Sequence, residues 1–107
     1  MTDIEVPDSA SLMAELRQQQ EAVAQLRASI DALTVKGYSR GNEVAVTVKG
    51  TGKVSEIVID PQLQRRYDAH DLGAIITEAV NDALGKLGAA TSARFAPLLE
   101  DARRFTA

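Results

Sequence analysis

The sequence predicts an α+β fold: a long N-terminal helix, a three-stranded antiparallel meander, and a C-terminal helix with a kinked extension. Apolar residues recur at helical spacing over residues 9–33, alternate with other residues over residues 34–60, and return to helical spacing over residues 68–90. With residues 92–105 as a short helical extension, residues 9–107 form a single predicted domain. Residues 1–8, which are acidic, are predicted to be a disordered tail.

The composition is that of a small globular domain. The 107 residues are 45% hydrophobic and 25% charged, and contain no apolar run of about 18 residues that could span a membrane. Cysteine is absent, which excludes disulfides and thiol chemistry, and the N-terminus lacks the features of a signal peptide. These observations predict a cytoplasmic protein with no membrane partner.

The first predicted helix is longer than a domain of this size requires. Asp8 or Ser9 can cap its start. About 25 residues at about 1.5 Å each give a rod of about 37 Å, so part of it must project or pair with another chain. Its apolar residues form a heptad seam in which Gln19 is the polar member, although an amphipathic helix on a core would look similar. The seam consists of Leu12, Leu16, Val23, Leu26, Ile30 and Leu33.

Alternation with a period of two predicts the strands. Every second residue over 44–48 is a valine, which places these valines on one face of the middle strand. Gly50-Thr51-Gly52 is a hairpin signal, and strands joined by such short turns are antiparallel. In the third strand the alternation pairs Ile57 with Ile59 on one face and Val54 with Val58 on the other.

The second long helix has a complete apolar stripe. Asp68, with Asp71 three residues later, is suited to its N-terminus, and Pro97 predicts a kink or a restart in the extension. Asn81 and Asp82 project away from the stripe. Asp82 precedes Lys86 by four residues, the favourable order for an exposed ion pair. The helix face around Asn81, opposite the apolar stripe, is thin. Either another backbone packs closely against this face, or the face is simply exposed to solvent.

The chemistry-bearing residues do not predict an enzyme. His70 is the only histidine and lies in a polar helix start, and the carboxylates are scattered. Gly50-Thr51-Gly52 has too little glycine, and no helix start after it, for a phosphate loop. We therefore predict no catalytic residue, no metal, no cofactor and no small-molecule substrate.

The arginines are the remaining candidates for a binding site. The net charge of −3 counts against non-specific nucleic-acid binding, but the acidity lies mainly in residues 1–33, so a local basic surface remains open. Helix-borne arginines could straddle a duplex by phosphate contact, and a dimer would double them; each could equally be a solvated surface charge. The candidate DNA-binding residues are Arg17, Arg27, Arg40, Arg65, Arg66, Arg94, Arg103 and Arg104.

Three segments, in order, resemble the YbaB/EbfC family of bacterial nucleoid-associated proteins. They are LMAELRQQQEAVAQLRASIDAL, VAVTVKGTGKVSEIVIDP and LGAIITEAVNDALGKL, the last containing an AVNDA motif, and they cover about residues 12–88. The resemblance implies a tweezer-like homodimer whose protruding helices bind double-stranded DNA in the nucleoid, with a role in its organisation or in gene regulation. It implies that Arg17, Arg27 and the C-terminal arginines contact the DNA. The alternative is a dimeric adaptor or chaperone, associated with secretion, that binds a protein partner and has little affinity for DNA.

Overall fold

The structure, a computed structural model, describes the backbone of residues 8–106 and the side chains of residues 8–100 and 103. The predicted tail therefore lies outside the described residues except for Asp8. The order of helix, three-stranded antiparallel sheet and helix confirms the predicted α+β class. The elements are α1 (Ser9–Asp31), β1 (Thr34–Tyr38), β2 (Val44–Lys49), β3 (Val54–Ile59), α2 (Leu63–Arg66) and α3 (Ala69–Thr106).

The sheet has the order β1-β2-β3, and both strand pairs are antiparallel. The three valines of β2 are fully buried, as their alternation predicts. The prediction for Val54 is wrong, because a register shift after Thr47 places Val54 opposite Val48. Cross-strand partners share a face of a sheet, so Val54 lies on the same side as Val48 and not with Val58.

The core lies between the sheet and the middle of α3. Ala79, Ala83 and Leu87 of α3 pack on the valines of β2, and Leu63 of α2 completes the cluster. Gly37 permits the close approach of β1 to α3. A Cβ atom at Gly37 would lie 2.6 Å from the carbonyl oxygen of Ala79 and still closer to the amide nitrogen of Ala83.

The second half of the chain differs from the prediction in two places. Residues predicted as a linker include α2, with Leu63 buried. The helix predicted over residues 68–90 and the extension over 92–105 form one helix, α3, that passes through Pro97 without a break. Proline removes one backbone donor, but the alanines and leucines that flank it are strong helix formers and carry the helix on. At its start, Asp68 Oδ1 accepts from the backbone N–H of Asp71 at 2.8 Å, as the sequence indicates.

Two helical segments extend from this core, and we call them the arms. The first is α1, in which no residue is buried and Asp8 Oδ1 accepts the N-terminal hydrogen bond from Ala10. The helix ends at Asp31 instead of residue 33, which frees Leu33 to pack against the core. The second arm is residues 88–106 of α3, beyond the last core residue, Leu87. The molecule accordingly measures 84 × 24 × 17 Å.

Candidate nucleic-acid interface

The arginines of the first arm, Arg17 and Arg27, are exposed and make no ion pair with a described residue. Ten residues apart on a helix, they are separated by about 15 Å along the axis and by about 80° around it. Both side chains can therefore reach the same elongated ligand that lies along α1.

A group of cations lies where the arms leave the sheet, a region that we call the arm base. The backbone N–H of Gly50 donates to the carbonyl of Leu33 at 2.8 Å, and a Cβ atom on Gly50 would collide with the carbonyl of Ile30. Across the helices, Arg94 Nη1 donates to the hydroxyl of Ser29 at 2.6 Å. The β2–β3 turn, the end of α1 and the second arm therefore meet here.

Four cations belong to the arm base: Arg27, Lys49, Lys53 and Arg94. Lys49 and Lys53 flank the turn, are exposed, and make no ion pair with a described residue. Arg94 bonds a neutral hydroxyl, so that contact leaves its charge uncompensated. The acid nearest in sequence is Asp31 at the end of α1. The arm base thus has an excess of positive charge in a chain whose net charge is −3.

Lys49 was not among the sequence candidates, although a signal for it exists. In an antiparallel meander, the turn between the second and third strands returns to the end of the sheet where the first strand begins. Because β1 begins three residues after α1 ends, this turn must lie beside the end of α1. Strand order alone therefore brings Lys49 and Lys53 to the arm base.

Three candidate arginines lie at the opposite end of the sheet. The N–H of Asp60 bonds to the carbonyl of Glu43, which joins the β1–β2 turn, with Arg40, to the segment that leads into α2, with Arg65 and Arg66. A strand of six residues separates this end from the arm base by about 20 Å. The fold therefore does not gather the eight candidate arginines into one surface.

Carboxylates outnumber cations at this opposite end. Arg40 Nε lies 3.7 Å from Glu78 Oε1, although the Arg40 side chain remains 94% exposed. The acids that the same segments and the start of α3 carry are Glu43, Asp60, Asp68, Asp71 and Glu78. A polyanion is therefore disfavoured here.

The two last candidates lie far along the second arm. Arg103 is exposed, and the side chain of Arg104 lies outside the described residues.

In the described part of the chain, no group of three or more His, Cys, Asp or Glu side chains could hold a metal ion. No helix of that part is long and apolar enough to cross a membrane.

The AVNDA motif joins α3 to the sheet. Asp82 Oδ2 lies 3.0 Å from Lys86 Nζ, which confirms the predicted ion pair, and accepts the backbone N–H of Tyr38 at 2.8 Å. The hydrogen bond from Tyr38 and then that from Lys86 lower the pKa of the Asp82 carboxyl. Asp82 is therefore a link between α3 and β1 as well as a partner for Lys86.

Neighbouring side chains extend this link along the outer edge of β1. Glu78 Oε1 accepts the backbone N–H of Arg40 at 2.7 Å, one turn before Asp82. One turn after it, Lys86 Nζ lies 3.5 Å from the carbonyl oxygen of Lys36 and 5.2 Å from the ring centre of Tyr38. Three side chains at successive four-residue intervals on α3 thus satisfy three backbone groups of β1 and its following turn.

A three-stranded sheet on a long helix, with two exposed arms and unpaired cations at their base, defines a small α+β protein with projecting helices and a basic surface. The chain belongs to the YbaB/EbfC DNA-binding family, whose model matches residues 6–102. This membership confirms the resemblance seen in the sequence.

Relatives and a solved structure agree with this assignment. A nucleoid-associated protein of Nocardia farcinica is 36% identical over 91 residues, which cover 85% of this chain and 83% of the relative. One from Mycobacteroides abscessus is 35% identical over 92 residues, 86% of this chain and 81% of the relative. A crystal structure of an uncharacterized Helicobacter pylori protein superposes with a TM-score of 0.69 over 87% of this chain and 98% of that chain. At 20% identity, that likeness shows the fold alone.

Proposed function

We propose that this chain is a nucleoid-associated DNA-binding protein that contacts the DNA backbone through the cations of its arms and arm base. The observation that carries the proposal is the set of exposed, uncompensated cations at the arm base, in a chain of a DNA-binding family. Phosphate contacts need only positive charge in reach of the duplex, whereas base readout needs side chains placed in a groove. The proposed binding therefore depends little on the base sequence of the DNA. We propose that the protein acts in the nucleoid.

The proposed contact residues are a subset of the arginines with two lysines added. Arg17, Arg27 and Arg94 lie on the arms, and Lys49 and Lys53 flank the turn at the arm base. Arg103 and Arg104 extend the second arm and stay among the proposed contacts. We assign no contact to Arg40, Arg65 or Arg66, because carboxylates outnumber cations at their end of the sheet.

We further propose that the active form is a homodimer. Leu12, Leu16 and Val23 of the predicted seam are 47%, 47% and 53% exposed, and no residue of α1 is buried. An isolated helix of this length is marginal in water, so packing against another chain would stabilise α1. A dimer also doubles every proposed phosphate contact.

A matched pair of charge reversals tests the site. Binding to a fluorescent duplex of about 30 base pairs is measured by anisotropy at about 100 mM salt, for wild type, for Arg17→Glu with Arg27→Glu, and for Arg65→Glu with Arg66→Glu. We expect the first double variant to lose affinity about tenfold or more, because phosphate contacts become repulsive. The second, which changes the net charge by the same amount, is expected to bind like wild type. Equal losses in both would contradict the assignment to the first arm.

The alternative of a protein-interaction module is supported by the apolar side chains of the arms. Met13 on the first arm and Phe95, Leu98 and Leu99 on the second are 36–58% exposed. Exposed apolar side chains grouped on helices are typical of surfaces that bind protein. Wild-type protein that fails to bind the duplex even at about 50 mM salt would exclude the DNA proposal and favour this function.

A further inference from the structure

The sheet has one face that packs on α3 and one that does not. The three valines of β2 point into the core against α3, so the alternate residues of the strand lie on the opposite side, which we call the open face. Cross-strand partners share a face, and those from β1 are all exposed. The open face of these two strands is made of Thr34, Lys36, Tyr38, Ala45, Thr47 and Lys49.

Tyr38 presents an aromatic ring on the open face. Its cross-strand partner is Ala45, whose methyl group is too small to cover the ring, and Tyr38 is 41% exposed. The ring is also held in place. Lys86 Nζ lies 5.2 Å from its centre, and Asp82 accepts the backbone N–H of the same residue. A ring that is already positioned loses little freedom when a flat ligand stacks on it.

Cations follow the ring along the open face. Lys36 lies two residues from Tyr38 on the same side of β1, about 7 Å along the strand. Lys49 lies on the same face at the end next to the arm base, and neither lysine makes an ion pair with a described residue. Glu56 of β3 shares the face but lies two strands from Lys36, at about 10 Å. The β1 side of the face therefore combines one exposed ring with unpaired positive charge.

We propose that the open face binds single-stranded nucleic acid, with one base stacked on Tyr38 and the neighbouring phosphates in contact with Lys36 and Lys49. Aromatic rings beside cations bind single strands because every base offers a flat face and every nucleotide a phosphate. In a duplex the bases stack on each other, so none is free for the ring. This site is distinct from the proposed duplex site, apart from Lys49, which borders both.

The two tyrosines of the chain allow stacking to be measured directly, because the sequence contains no tryptophan. In Tyr67→Phe, all tyrosine fluorescence comes from Tyr38. We expect an oligothymidylate of about 12 nucleotides to quench it by about half or more, since the stacked base contacts the ring. In Tyr38→Phe the signal comes from Tyr67 alone and should not be quenched beyond the light that the oligonucleotide absorbs. Equal quenching in the two variants would overturn the inference.

Affinities give the second test. Anisotropy of the labelled oligonucleotide is measured at about 50 mM salt, with circular dichroism as the check of folding. We expect Tyr38→Ala to weaken binding about tenfold, within the range for loss of one stacked base, and Tyr38→Phe to bind like wild type because stacking needs the ring and not the hydroxyl. The matched control is Tyr67→Ala, at a tyrosine that is 40% exposed outside the open face, and it should bind like wild type.

Charge on the open face is tested in the same assay. Lys36→Gln should weaken binding and reduce the slope of log affinity against log salt by about 0.7, the value for one phosphate contact to a single strand. Oligouridylate of the same length distinguishes RNA from DNA as the ligand. Tyr38→Ala should weaken whichever of the two the wild type binds.

Failure of this site and failure of the proposed duplex binding are distinguishable. The Arg17→Glu with Arg27→Glu variant should lose the duplex and keep the Tyr38-dependent binding of the single strand. Wild type that binds neither oligonucleotide at about 50 mM salt overturns the inference, and the duplex assay still judges the DNA proposal. Equal affinities of Tyr38→Ala and Tyr67→Ala also overturn it. If Tyr38→Ala does not fold, the fluorescence test and Lys36→Gln decide the outcome.

Discussion

Asp82 shows how one side chain can hold two layers of a fold together. It receives the backbone N–H of Tyr38 from the sheet and the ammonium group of Lys86 from its own helix. Both contacts favour the ionised carboxylate, which is why its pKa is lowered. Its neighbour Asn81 is exposed, as the periodicity of the helix predicts. The two polar residues of the AVNDA motif therefore have different roles.

The lowered pKa of Asp82 predicts a pH-dependent stability. A carboxyl whose pKa falls below its ordinary value of 3.8 on folding stabilises the protein above that pH. This stabilisation is lost as the pH falls from about 3.8 through the lower pKa of the folded state. We expect Asp82→Asn to melt below wild type at pH 7, and the difference to shrink as the pH falls below about 3.8. Thermal melts of both proteins test this, with Glu56→Gln, at an exposed position, as the control; a constant difference would contradict it.

Gly37 gives a second prediction at the scale of the residue. The side chain of Gly37→Ala would collide with the α3 backbone at Ala79 and Ala83, so β1 and α3 must move apart. We expect the free energy of unfolding to fall by about 3 kcal/mol, at the upper end of ordinary overpacking. The control is Gly85→Ala, whose Cβ meets no atom within 4 Å and should stabilise α3 by about 0.5–1 kcal/mol. Urea denaturation measures both, and equal effects would refute the close contact.

At the scale of the element, α3 is one helix of 38 residues with different surroundings along its length. Its middle packs on the sheet through Ala79, Ala83 and Leu87, and its last 19 residues form an arm. The arm contains Pro97, which lacks the donor for a hydrogen bond to the carbonyl of Ala93. The helix therefore continues through Pro97 but lacks one backbone hydrogen bond at this point of the arm.

Replacing this proline should stabilise the arm. Pro97→Ala restores the missing donor and removes the ring, which in an exposed helix is worth up to about 3 kcal/mol. Slower amide exchange over residues 93–106 would report the change, while the exchange of β2 should be unaffected. Gly88→Ala serves as the comparison, with a smaller gain of about 1 kcal/mol. Unchanged exchange in Pro97→Ala would mean that the proline already imposes no strain there.

At the scale of the whole molecule, charge is distributed unevenly along an 84 Å body. The arm base carries an excess of positive charge, whereas the first arm and the opposite end of the sheet each carry more acids than bases. In a chain with net charge −3, the arm base is therefore the surface best suited by charge to approach DNA.

This asymmetry predicts the salt dependence of DNA binding. If about 6–10 of the proposed phosphate contacts form in each proposed dimer, affinity should fall by about 10³-fold or more between about 50 and 200 mM salt. Lys49→Gln with Lys53→Gln should reduce the slope of log affinity against log salt by about 0.9 for each contact removed. Arg65→Gln with Arg66→Gln removes two charges from the acidic end and should leave the slope unchanged. An equal change of slope in the two double variants would indicate that DNA contacts both ends of the sheet.

The sequence by itself determined the class of fold, the buried valines of β2, the N-terminal hydrogen bond of α3 and the Asp82–Lys86 pair. These follow from periodicity and from contacts within about four residues, which the order of side chains controls directly. Only the tertiary structure decided that Arg94 joins the other cations of the arm base, because the second arm meets the end of α1 through the hydrogen bond from Arg94 to Ser29. It also decided the role of Asp82 at the β1 edge and the need for glycine at Gly37, since both depend on how closely α3 approaches the sheet. Such distances are set by packing between segments far apart in the chain, and no local pattern encodes them.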